Sequence, residues 1–143
     1  MDILLVEDNA GDVRLAQEAF SYPNSPIKLH VARDGEAAMA FLRQEGGHSN
    51  APRPHVILLD LKLPKIGGLE VLAQIKNDKR LKAIPTIILS TSDLESDIRS
   101  AYENYANCYF LKPTKWDAFD SIVKHVNDVW LGLAKLPNTE NAL

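Results

Sequence analysis

Residues 56–64 read VILLDLKLP. Val56, Ile57, Leu58 and Leu59 form an unbroken apolar run, and the run stops on Asp60. Consecutive apolar residues without alternation predict a strand covered on both faces, as in a parallel sheet. A carboxylate beside such a core is costly unless something pairs with it. The stretch therefore makes two demands on the rest of the chain. Helices must cover both faces of a sheet, and a positive charge must reach the end of this strand.

The first demand is met along the whole chain of 143 residues. Short apolar runs at 3–6, 27–31, 56–60, 86–90 and 108–111 read as strands. Amphipathic segments follow each of them. Residues 10–20 place Val13, Leu15, Ala16, Ala19 and Phe20 on one helical face. Asp34 can cap a helix over 35–44 whose inner face is Ala37, Ala38, Phe41 and Leu42. Gly67 and Gly68 introduce a third helix carrying Leu69, Val71, Leu72 and Ile75. A fourth opens at Asp93 or Leu94 and runs to about Tyr105. The last covers 115–133, with Phe119, Ile122, Val123, Val126, Val129 and Trp130. Strict alternation of strand and helix predicts an α/β domain, a doubly wound parallel sheet. We expect that domain over 1–134 and a polar, frayed C-terminal tail over 135–143.

Composition narrows the function classes. The net charge of −3 argues against a general nucleic-acid binder, which carries a basic excess. No apolar run approaches the roughly 20 residues that cross a bilayer. One cysteine, Cys108, cannot form an internal disulfide, and the N-terminus lacks the features of a signal peptide, so a cytoplasmic location is expected.

The second demand directs attention to the strand ends, because ligands of a doubly wound sheet bind at the carboxyl ends of its strands. The first strand leads into Glu7 and Asp8, the third ends in Asp60, the fourth in Ser90, and the fifth runs into Lys112. Carboxylates brought together raise one another's pKa, and a hard cation such as Mg2+ relieves them. Asp60 can then attack a phosphorus centre and form an acyl phosphate. Lys112 and the Ser90 hydroxyl are suited to the phosphoryl oxygens.

The blocks ILLVED (3–8), VILLDLKLPKIGGLEVL (56–72), IPTIILSTS (84–92) and CYFLKP (108–113), in this order and spacing, resemble the receiver domain of two-component response regulators. Each block alone is weak, and the four together span nearly the whole chain. The resemblance implies a flavodoxin-like (βα)5 fold with strand order 2-1-3-4-5. It implies that Asp60 is the phosphoacceptor and that Glu7, Asp8 and Asp60, with the backbone carbonyl of Lys62, organise Mg2+. It makes Ser90 the switch hydroxyl, Tyr109 the switch aromatic, and Lys112 the lysine that meets the phosphoryl group. It also implies a cis peptide bond between Lys112 and Pro113. Within the family, VEDNAGDVRLAQEAF (6–20), RDGEAAMAFL (33–42) and APRPHVILLDLKLP (51–64) look most like small stand-alone regulators that partner cyanobacterial phytochrome histidine kinases. Such regulators imply a histidine kinase as phosphodonor and a homodimer through the face of helix four, strand five and helix five.

Other readings of the same residues carry less weight. An Mg2+-dependent phosphatase with an aspartyl-phosphate intermediate typically has a second acid two residues after its nucleophile, and Lys62 stands there. A receiver-like binding module independent of phosphorylation is not favoured, since the acceptor, acids, hydroxyl and lysine are all present. Asp12 reads as an acid in the first turn of a helix, where the dipole favours it, rather than as a further metal ligand. Cys108 reads as a small buried hydrophobe. His30, His48, His55 and His125 show no ligand spacing.

Overall fold

The computed structural model describes residues 1–112 and 119–138. The elements alternate as β1 (Asp2–Val6), α1 (Ala10–Phe20), β2 (Lys28–Ala32), α2 (Gly35–Arg43), β3 (Val56–Asp60), α3 (Gly68–Asn77), β4 (Thr86–Ser90), α4 (Glu95–Glu103), β5 (Cys108–Leu111) and α5 (Phe119–His125). The five strands form one sheet in the order β2-β1-β3-β4-β5, as expected, and every neighbouring pair is parallel. Pairing Leu5 with Leu58, Leu59 with Ile88 and Ser90 with Leu111 brings the carboxyl ends of the central strands to one edge.

Alternate side chains divide the core into two layers. Leu4, Val6, Ile57, Leu59 and Ile88 pack with Leu42, Val71, Leu72 and Ile75 beneath α2 and α3. Ile3, Leu5, Val56, Leu58, Ile87 and Leu89 pack with Ala16, Phe20, Ile122, Val123 and Val126 beneath α1 and α5. Burying each large apolar side chain contributes about 1.5–3 kcal/mol. The central strands β1, β3 and β4 are enclosed by this burial, and they also position the candidate site.

Local signals explain the helix boundaries. The Asp34 side chain accepts from the Ala37 amide at 2.7 Å, so the expected cap is present. The Asn9 side chain caps α1 in the same way, accepting from the Asp12 amide at 2.9 Å. The second helix ends at Arg43 rather than 44, because Gln44 turns left-handed at φ 59° and its amide closes on Ala40 and Phe41. The second strand lies one residue later than the apolar pattern predicted. Its edge position leaves Leu29, His30 and Val31 only half-buried, so its period is weak.

The end of the chain departs further from expectation. Beyond His125 the backbone continues as a π-helical segment over Val126–Leu133, closed by the Ala134 amide donating to the Val129 carbonyl at 2.7 Å. Trp130, Leu131 and Leu136 pack against the inner layer under α1 and α5. The first residues of the expected tail thus include a side chain seated on the core. The expected start of the last helix and the Lys112–Pro113 peptide bond lie outside the described residues.

At the amino ends of β4 and β5, Lys76 of α3 reaches across the layer. Its ammonium donates to the carbonyls of Lys82 and Ile84 and to Asn107 Oδ1, each at 3.0 Å. Asn107 Oδ1 also accepts from the Thr86 amide at 2.8 Å. Burial brings the Lys76 ammonium down to about 8.

The turn after β3 depends on one glycine. A Cβ on Gly68 would lie 2.3 Å from the Asp60 carbonyl oxygen and 2.5 Å from the Leu61 Cα, both backbone atoms. Helix α3 therefore starts directly against the end of the strand that carries Asp60. Around Gly67, by contrast, there is open space. Gly68→Ala is expected to lower unfolding stability by about 1–3 kcal/mol in urea denaturation, the usual cost of overpacking. Gly67→Ala should stay within about 0.5 kcal/mol of the parent, as surface substitutions do. Equal, small effects at both positions would show that the close approach is not a constraint.

Candidate phosphoacceptor site

The backbone ladder delivers the acids. Beyond β1, the Glu7 amide donates to the Ala32 carbonyl at 3.0 Å, so Glu7 continues the strand direction and its side chain is buried. Asp8 follows at the exposed rim. Asp60 closes β3 and is only 6% exposed. Carboxylate oxygens of Glu7, Asp8 and Asp60, one from each, all lie within 4.8 Å of one another, the one such acidic group among the described residues.

The need of Asp60 for a cation is met by Lys112. Its amide donates to the Ser90 carbonyl at 2.7 Å, extending the β4–β5 ladder by one bond. Its ammonium then reaches three carboxylates. It pairs with Glu7 Oε1, with Asp12 Oδ2 at 2.9 Å and with Asp60 Oδ2 at 3.2 Å. The side chain of Lys112 is 8% exposed. Burial pushes the ammonium down, but hydrogen bonds to Glu7 and Asp12 and the charge of Asp60 outweigh it, and its pKa stands above the ordinary lysine value. Glu7 also moves up, which for a carboxylate favours the neutral form. Burial, followed by the neighbouring Asp60, pushes it up to about 7 against the pull of Lys112.

The remaining expected residues surround this core. Asp60 Oδ1 accepts from the Lys62 amide at 3.3 Å, which turns the Lys62 peptide toward the acid. Ser90 is fully buried, and its Oγ accepts from the Ser92 amide at 3.1 Å. Tyr109 is half-buried, and its hydroxyl donates to the Ser92 carbonyl at 2.8 Å. The aromatic is thus tied to the loop after β4 and does not touch the acids. Lys62, Gly68, Ser90, Ser92 and Asp97 line a cleft of about 280 Å³ that opens beside Asp60.

Three further residues support the site. Asp12 joins the site through Lys112 rather than through the acidic triad. Arg33, after β2, donates to the Asp8 backbone carbonyl at 3.1 Å and braces the rim. The Ser92 hydroxyl donates to Asp97 Oδ2 at 2.5 Å, fastening the β4–α4 loop to the first turn of α4. Asp12 had a local signal, its place in a first helical turn, and that signal pointed to the dipole alone.

Comparison with known proteins agrees with this geometry. Residues 3–126 match the response regulator receiver domain. The chain belongs to that family. It is 46% identical to response regulator Rcp1 of Synechocystis sp. strain PCC 6803 over 135 residues, covering 94% of this chain and 92% of that protein. The solved structure of the phosphorylated cyanobacterial phytochrome response regulator RcpA superposes with a TM-score of 0.92 at 50% identity, covering 96% of this chain and 98% of the other. The Mn2+-bound form of Rcp1 superposes with a TM-score of 0.90 at 45% identity, covering 96% and 99%. This chain is therefore a receiver-type response regulator of two-component signalling, similar to phytochrome response regulators. No helix among the described residues is long and apolar enough to cross a membrane.

The donor set fits a hard divalent cation: three carboxylates in reach of one another, one of them pushed up by burial and by the company of another. Receiver domains bind a divalent metal, and Glu7 would offer such an ion a charged ligand only in its ionised form. In the metal-free protein the raised Glu7 pKa contributes stability that is complete below its unfolded value of 4.5 and is lost as pH rises through about 7. A divalent cation acts in the opposite sense, stabilising most where Glu7 is ionised. The rise in Tm caused by Mg2+ over chelator should therefore be larger at pH 8 than at pH 6. In Glu7→Gln that pH difference should shrink. An equal Tm rise at both pH values in the parent protein would show that Glu7 does not control the cation site.

Proposed function

We propose that Asp60 accepts a phosphoryl group from the phosphohistidine of a histidine kinase, a phytochrome kinase being the favoured donor. The observation that carries this reading is Lys112 holding Asp60 and Glu7 together at the strand ends, beside an acidic group suited to a cation. Similarity to Rcp1 and RcpA supports the choice of kinase class.

In the transfer, an Asp60 carboxylate oxygen forms the new bond to phosphorus. The N–P bond breaks, its electron pair stays on the imidazole, and the imidazole takes up a proton. Glu7, Asp8, Asp60 and the Lys62 carbonyl would hold Mg2+, which neutralises charge on the phosphoryl oxygens when bound. Lys112 supplies a second positive charge, and the buried Ser90 hydroxyl can donate to one oxygen. Positioning and charge neutralisation are most of what phosphoryl transfer needs. Self-transfer and loss of its own acyl phosphate are then the only chemistry of the chain, which acts as a signalling protein rather than an enzyme on free substrates. A cytoplasmic location belongs to the same reading.

Ser90 and Tyr109 would convert the added charge into a surface change. Tyr109 donates to the Ser92 carbonyl, and the amide of the same residue donates to Ser90 Oγ, so a shift of Ser90 is felt directly by the aromatic. The loop continues into α4, whose neighbourhood exposes Leu94, Tyr102, Tyr105 and Leu111. An exposed apolar set of this kind marks an interaction face. We assign to it a homodimer contact over α4, β5 and α5.

Intact-mass measurement after incubation with acetyl phosphate tests the chemistry. One added phosphoryl group is expected with Mg2+ and none after Asp60→Asn; an adduct that survives the substitution would place the acceptor elsewhere. The surface assignment is tested by sedimentation, where a dimer is expected that Tyr105→Glu weakens at least tenfold, about 1.4 kcal/mol. A monomer at high concentration, with and without phosphorylation, would remove the dimer from the proposal.

A further inference from the structure

Lys112 has more anionic partners than the transfer reaction requires. Its ammonium has three hydrogens, and three carboxylates face it, from Glu7, Asp12 and Asp60. An arriving phosphoryl oxygen therefore finds each of these donors already engaged. One carboxylate has to yield. Glu7 is 2% exposed and is held further by the Asn9 amide, which donates to its Oε2 at 3.2 Å. Asp60 is the acceptor and must remain. Asp12 is different on each count. Its side chain is 31% exposed, it lies outside the acidic triad, and the helix cap at this position uses its amide rather than its carboxylate.

We propose that Asp12 is a positioning residue that acts as a brake, holding Lys112 in the unphosphorylated protein and yielding it to the incoming phosphoryl group. The inference rests on Asp60 being the acceptor and adds a second consequence. The Asp12 carboxylate is a fourth negative charge at the mouth of the site, so it repels an anionic donor as well as competing for the lysine. Releasing Lys112 turns Asp12 toward solvent, a move open to it because water can replace the lost ion pair. No bond to Asp12 forms or breaks, and the chemistry remains that of Asp60.

The test compares phosphorylation rates by intact mass, with Mg2+ and two small donors of different charge. Acetyl phosphate is dianionic at neutral pH and phosphoramidate carries one net negative charge. Asp12→Asn keeps the shape and removes the charge. It should accelerate labelling by acetyl phosphate roughly three- to tenfold, as expected for one charge a few ångströms away in a partly screened site. Labelling by phosphoramidate should rise less, and Asp12→Glu should return both rates toward the parent. A structural role alone would move both donors together and would not be rescued by charge. Slower labelling of Asp12→Asn, or equal acceleration with both donors, would overturn the proposal. Asp60→Asn separates the two ideas: labelling that persists in that variant would overturn the acceptor assignment and the brake with it. Absent labelling there, with no acceleration in Asp12→Asn, would overturn the brake alone.

Discussion

One buried ammonium organises the functional edge of this protein. Lys112 stands just past β5 and draws together carboxylates that arrive from the end of β1, the first turn of α1 and the end of β3. The buried acids among them would be unfavourable at their positions alone, since burial penalises an unpaired charge. The converse also holds. A lysine this deeply covered needs anionic company to keep its proton, and it receives enough to exceed its ordinary basicity. The site is therefore assembled by mutual need. It forms only when the parallel sheet has set its strand ends at one level, so fold and chemistry are not separable here.

That dependence explains how much of the fold and the site is legible in the amino-acid sequence. The central strands announce themselves because they are covered on both faces, and five apolar runs separated by amphipathic segments leave few architectures open. Once the sheet is parallel, its functional end is dictated by direction, and Glu7, Asp8, Asp60, Ser90 and Lys112 are the polar residues that its strand ends deliver. The edge strand is the least legible. One side of β2 has no neighbour, and half-burial of Leu29, His30 and Val31 blurs its pattern.

The features that sequence does not disclose depend on tertiary contacts that local pattern does not encode. Asp12 meets a lysine 100 residues away, and a first-turn acid already has a sufficient local explanation. Gly68 reads as half of a flexible glycine pair, whereas its role is set by the backbone of Asp60 and Leu61 pressing against it. The π-helical stretch over Val126–Leu133 is hidden for a related reason. Apolar residues there recur at intervals that suit either helical period, and Trp130 and Leu131 pack against the layer under α1 and α5.

The two ends of the sheet are built on different terms. At the carboxyl edge, charges share partners and one of them can be traded for another. At the amino edge, Lys76 satisfies two carbonyls and an amide oxygen at once, and that amide oxygen in turn receives the first amide of β4. Nothing in that knot is left to exchange. The lower end of the molecule is thus tied together by shared hydrogen bonds, distant from the upper rim. A fluorophore pair with one label near Asn107 and the other on α4 would report rearrangements at that rim, and a surface linkage made near Lys82 would leave the rim around Lys112 uncovered.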